Sequence, residues 1–319
     1  MRNLSMDALC EKIGNAVSKQ AISKYEKGES LPGSQILILL SQALDVKPDY
    51  FFRESQFAIS NIEFRKKAKM GVKEVEAIKE EIRDIIERYL EIEDVWGCVP
   101  SFANPVKEML VASEDDVYEV VKKLKDAWNI GEDGILSVTD LLESKNIKVV
   151  EIKADSSFDG LSGYVNNDEN MPFVVVNKSF DVERLRFTGL HELGHLVMNL
   201  PEEMEKKDKE RLCNLFASEM LISRDTFVDV LGERRSDISL QELKVLQAVY
   251  GISVDALMFK AKTVGVISES KHTSFCIRKN KSLAFKDAVE RSSYRGVEES
   301  SRFDRLVYRA LASDMISCS

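Results

Sequence analysis

Residues 184–196 read RLRFTGLHELGHL, and within them HELGH sets His191 and His195 four positions apart. On an α-helix that spacing puts both imidazoles on one face, one turn apart, where they can bite a single metal ion. Glu192 lies one step around the helix. It is badly placed to join the same tetrahedron and well placed to take a proton from water at that ion. Phe187, Leu190, Leu193, Leu196 and Val197 surround the motif with apolar side chains, so the helix is expected to be buried. Two imidazoles and a carboxylate buried without a partner would cost free energy. One Zn2+ is the expected ion, with Mn2+ or Fe2+ as alternatives for an N/N/O donor set.

The third donor is open among three residues. His272 is the only other histidine and sits in the polar stretch SESKHTS. Cys213 lies in a helical segment downstream. Glu219 is the favoured candidate, because it interrupts the apolar run LCNLFASEMLI and a carboxylate there needs a partner. A His/His/Glu set leaves the fourth zinc position open, the pattern of catalytic rather than structural sites. Glu210 or Asn214 could support a ligand from behind. Tyr164 and Asn177, on or beside expected strands, are candidates to steady an oxyanion. Phosphate-binding loops and the GxSxG elbow are missing from the sequence.

Around this motif the chain is of ordinary globular composition: 319 residues, 31% charged and 44% apolar. There is no apolar run of the ~20 residues a membrane span needs, and no apolar signal core in MRNLSMDALCEK. A cytoplasmic protein is expected. Five scattered cysteines with no CxxC pair argue against a disulfide framework and against a thiolate zinc cluster. β-branched runs predict strands over 147–152, 162–165 and 173–177. Helical patterns fall over 114–128, 135–145, 181–199, 208–222, 239–249 and 253–264. The fold expected is α+β, mostly α, with a small β-sheet. Residues 71–93 read as one long helix striped with Val75, Ile78, Ile82, Ile85, Tyr89 and Ile92, which either packs on its own domain or forms a dimer seam.

The N-terminus differs in charge. Net charge is −9 overall, yet residues 1–70 carry 11 Lys/Arg against 8 Asp/Glu. A slightly basic front on an acidic body fits a small DNA-binding module. Ser5 can cap one short helix, ended by Gly14 and Asn15, and Ser18 a second, ended by Gly28. A third runs over 34–45, and Pro48 opens a further turn. Two short helices joined by a tight turn make a helix-turn-helix, whose second helix enters the major groove of double-stranded DNA.

Two resemblances carry this further. VSKQAISKYEKGESLP, followed by LLSQALDVKPDYFF, resembles the XRE family of bacterial and phage repressors. The resemblance places base-reading residues at Lys19, Gln20 and Lys24, with Lys27 nearer phosphate. That family has a helix ahead of the pair which this sequence lacks, so part of the module's core is expected to be missing. DGLSGY, VVVN, RLRFTGLHELGHL and CNLFASEMLIS resemble the ImmA/IrrE family of zinc metallopeptidases over roughly residues 130–260. This implies a zincin-like domain with His191, His195 and Glu219 on zinc and Glu192 as general base. Residues 265–319, including RFDRLVYRALASDMIS, resemble the C-terminal extension of XRE–ImmA/IrrE fusions, cut short of a further helix. The expected organisation is 1–53 helix-turn-helix, 54–94 linker and long helix, 95–264 metallopeptidase, 265–319 helical extension. The function implied is an endopeptidase cleaving a regulatory protein such as a repressor or antitoxin. The alternative is a transcriptional regulator whose metal domain senses or docks a partner. A homodimer suits paired half-sites.

Overall fold

The computed structural model describes residues 4–52, 59–60, 71–97, 101–165, 168 and 170–317. The N-terminal helices form as expected: α1 Met6–Lys12, α2 Lys19–Glu26 and α3 Ser34–Leu44, then a 3-10 turn over Pro48–Phe52. Ser5 and Ser18 accept from Ala8 N and Ala21 N, so both predicted caps are made. Gly14, Asn15 and Gly28 have φ of 67°, 57° and 70°, which ends each helix where the sequence suggests. Leu9, Cys10, Ile13, Ile22, Leu40 and Ala43 close a small core of their own.

The rest is an α+β unit built on a sheet of strand order β1-β3-β4-β2, with β1 Ile59–Ser60, β2 Lys148–Ile152, β3 Gly160–Val165 and β4 Pro172–Asn177. β3 and β4 are antiparallel, and β2 and β4 parallel. All six β4 residues are buried, which explains the unbroken apolar run PFVVV: the strand is covered on both faces. Val174 and Val176 face the helix that carries the histidines, α7 (Val182–Val197). Phe173 and Val175 face α4 (Val72–Val95).

Helix α4 packs on the sheet. Ile78, Ile82, Ile86 and Leu90 are buried against Val150, Ile152, Leu161 and Phe173 of the sheet. Of the two readings of its apolar stripe, packing on its own domain is the one observed. Residues 59–60, expected in a linker, pair with Val165 and Tyr164 at the sheet edge. The other residues of 54–70 lie outside the described set. The C-terminal extension is equally part of this unit. Helix α14 (Arg302–Ala312) packs on α4, with Arg302 3.1 Å from Glu93 and the Arg309 guanidinium 4.3 Å from the centre of the Trp96 ring. Beneath them Lys148, fully buried on β2, pairs with Glu93 at 3.0 Å, and burial lowers its pKa. Among the described residues no helix is long and apolar enough to cross a membrane.

Candidate metal centre

Helix α7 starts at the N-cap Asp181, whose carboxylate accepts from Arg184 N. It then runs beneath the sheet and against α8 (Lys206–Leu221). Gly194 permits the close approach: a Cβ there would lie 3.2 Å from Phe216 of α8. The two helices thereby present side chains to each other from facing sides. His191 and His195 do meet, with their Nε2 atoms 3.2 Å apart. His191 is buried, and the His195 side chain keeps a quarter of its surface exposed.

The carboxylate beside them belongs to Glu210. Its two oxygens lie 3.6 Å from His191 Nε2 and 3.7 Å from His195 Nε2. Ligands bound tetrahedrally at about 2.0–2.1 Å sit about 3.3 Å from one another. The three donors thus already stand near the edges of such a tetrahedron, and His/His/Glu suits zinc. A fourth potential donor, the Cys213 sulfur, lies within 4.8 Å of both imidazoles.

Glu219 is not brought to the histidines, which corrects the favoured third ligand. It is nine residues from Glu210, two and a half turns, and so projects from the opposite side of α8. One oxygen is bonded to the buried ammonium of Lys260, and the other accepts from Arg224 N at 2.8 Å. Burial lowers the Lys260 pKa, opposed by the adjacent Glu219. The inference that this carboxylate needs a cation was sound; the cation is a lysine on α11 (Val254–Thr263). A buried lysine in an apolar helix was the overlooked signal. His272 is also elsewhere, against the Phe259 ring and the Cys276 sulfur, and Asn214 is exposed to solvent.

Glu192 is almost wholly buried and accepts a 2.9 Å hydrogen bond from Ser162 Oγ of β3. That bond fixes one oxygen of the carboxylate. Gly160, two residues earlier on the same strand face, fits where a Cβ would lie 2.6 Å from both Thr188 Cγ2 and Val175 O. Gly160→Ala is therefore expected to lower stability by about 1–3 kcal/mol through overpacking. Urea unfolding measures this, and unchanged stability would contradict the close approach of β3 to α7.

The two oxyanion candidates are placed differently. The Tyr164 hydroxyl donates to Leu196 O at 2.9 Å. Asn177 is fully buried and braces residues 154–158, accepting from Ala154 N and donating to the carbonyls of Ala154, Asp155 and Phe158. Next to His195 opens a cavity of about 470 Å³ lined by Phe102, Asn104, Tyr164, Met198 and Asn199.

Arg186, from the RFT stretch ahead of the motif, is fully buried. It bonds Glu298, Tyr294 Oη at 2.8 Å, and the carbonyls of Ile135, Tyr250 and Gly251. Glu298 also accepts from Val138 N and Thr139 N at the start of α6 (Val138–Ser144). The C-terminal segment is thus tied to the helix that carries the histidines.

With the geometry established, comparison with known proteins becomes informative. Residues 1–51 match the family described as helix-turn-helix, and residues 142–262 match the IrrE N-terminal-like domain. The chain is an XRE-type helix-turn-helix followed by an IrrE/ImmA-like domain. Over 53 residues it is 45% identical to the uncharacterized HTH-type transcriptional regulator y4aM of Sinorhizobium fredii. That stretch covers 17% of this chain and about a third (36%) of the relative. These likenesses give the chain a helix-turn-helix module and a metallopeptidase-like domain. On the helix-turn-helix, Lys19, Gln20 and Lys24 are all exposed on α2, within 140° of one another. Lys19 pairs with Asp7 at 2.7 Å; both side chains are more than half exposed, so that pair is weak.

Proposed function

We propose that the IrrE-like domain is a metal-dependent endopeptidase that cuts a regulatory protein, a repressor or antitoxin, and that the helix-turn-helix holds it at DNA in the cytoplasm. The observation that carries this reading is the convergence of His191, His195 and Glu210 at 3.2–3.7 Å with the Glu192 carboxylate on the next helix position. His191, His195 and Glu210 would hold the ion, zinc by the donor set. When bound, it supplies Lewis-acid polarisation of a carbonyl and a more acidic water. Glu192 takes the proton from the attacking water and returns it to the leaving amine. Ser162 keeps Glu192 oriented for both transfers. A protein substrate would add an extended segment to the edge of the small sheet, whose β3 packs over α7. The cavity beside His195 then receives a substrate side chain. Lys19, Gln20 and Lys24 read bases in the major groove, Lys at guanine and Gln at adenine, and a second copy would occupy the paired half-site.

The ligand assignment is tested by metal competition titrations. Glu210→Gln is expected to weaken metal binding by 10-fold or more, as is His191→Ala. Glu219→Gln is expected to keep the metal while losing about 3–5 kcal/mol of stability, because Lys260 is left as a buried unpaired charge. A folded Glu219→Gln protein that loses its metal, beside a Glu210→Gln protein that retains it, would reverse the assignment. Band-shift titration with the DNA upstream of its own gene tests the other module, and Gln20→Ala should relax sequence preference there.

A further inference from the structure

We propose that Cys213 is a fourth protein donor to the metal centre, so that the site is closed at rest and admits water or substrate only when the sulfur is displaced. The inference rests on the reading of His191, His195 and Glu210 as ligands, and concerns how that site is regulated. Glu210 and Cys213 are three residues apart on α8 and therefore share a face. That face meets the face of α7 on which His191 and His195 stand four apart. The packing of two helices thus brings the Cys213 sulfur to the imidazole pair that Glu210 also approaches. The Cys213 sulfur is fully buried and lies within 4.8 Å of both imidazole nitrogens.

Zinc binds sulfur at about 2.3 Å and imidazole nitrogen at about 2.0–2.1 Å, which puts S and N about 3.6 Å apart in a tetrahedron. The sulfur needs to move on the order of 1 Å to ligate, within reach of a side-chain adjustment. A thiolate in the set also selects zinc over manganese, since soft sulfur suits zinc. Four protein donors make a structural type of site, three an open one. Exchange between the two would let a peptidase remain silent until its target takes the sulfur off the ion. As a core residue alone, Cys213 would be replaceable by Ala with no change at the metal.

The full chain, stripped and reloaded with Zn2+, is expected to show one sulfur scatterer at about 2.3 Å by X-ray absorption. Loaded with Co2+, it is expected to show sulfur-to-cobalt charge transfer in the near ultraviolet beside the visible cobalt bands. Cys213→Ala should keep the visible bands, which also report a folded and loaded site, lose the ultraviolet band, and bind Zn2+ about 10-fold more weakly. Cys213→Ser provides the same comparison with a second side chain. A zinc shell of nitrogen and oxygen only in the wild-type protein overturns the proposal and leaves the His191/His195/Glu210 centre standing. Persistence of the ultraviolet band in both variants does the same. Failure of the wild-type chain to take up either ion overturns both.

Discussion

Glu192→Gln is expected to reduce cleavage of a bound protein substrate by about 10²–10⁴-fold while leaving the metal in place. Gln keeps the carbonyl oxygen that accepts from Ser162 Oγ, so the side chain stays where the carboxylate stood. What it removes is the ability to hold a proton between the attack of water and the departure of the amine. Glu192 is buried and next in sequence to His191. The variant should also retain its partner, since recognition survives and turnover does not. Incubating wild type and variant with captured partner, and following the fragments by mass spectrometry, measures both effects. A folded, metal-loaded Glu192→Gln protein that cuts at the wild-type rate would remove Glu192 as the base.

Arg186→Ala should cost about 3–5 kcal/mol, a large share of the roughly 5–15 kcal/mol that holds a domain folded. The loss has two parts. Glu298 remains buried without the guanidinium, and the carbonyls of Ile135, Tyr250 and Gly251 lose their donors. Glu298→Gln should cost less, because the single amide oxygen still accepts from Val138 N and Arg186, only the bond from Thr139 N is lost, and Arg186 keeps its carbonyl partners. Because Arg186 lies five residues before His191 on α7, the damage should reach the metal site as weaker ion binding. Urea unfolding followed by circular dichroism gives the stability change. A loss under about 1 kcal/mol for Arg186→Ala would mean that the C-terminal segment does not hold α7 in solution.

Much of the architecture was legible before any coordinates. Helix caps at Ser5 and Ser18, stops at Gly14, Asn15 and Gly28, and the β-branched runs of β2 and β4 all depend on local chemistry: a hydroxyl reaching a nearby N–H, a backbone accepting positive φ, side chains suited to a pleat. The pairing of His191 with His195 is likewise local, a consequence of helical pitch. The strand over Gly160–Val165 was seen only from residue 162, because Gly160 and Leu161 lack a β-branched signature; its start is set by packing against Thr188 and Val175.

The division into segments and the third ligand were not legible, for a common reason. Whether α4 spans a gap or covers a sheet depends on what stands opposite Ile82 and Ile86, and the residues opposite are Val150, Leu161 and Phe173, 64 to 91 positions away. Glu219 and Glu210 share one helix, and both need a positive partner. Lys260 is 41 residues beyond Glu219, and only the docking of α11 makes it the partner. Periodicity tells which residues lie on one side of a helix, since 3.6 residues per turn is a property of the backbone. It does not say which neighbour that side will meet. The motif itself therefore placed two imidazoles and a carboxylate on one buried helix, while the packing of α7 against α8 decided that Glu210 and Cys213, and not Glu219, stand beside them.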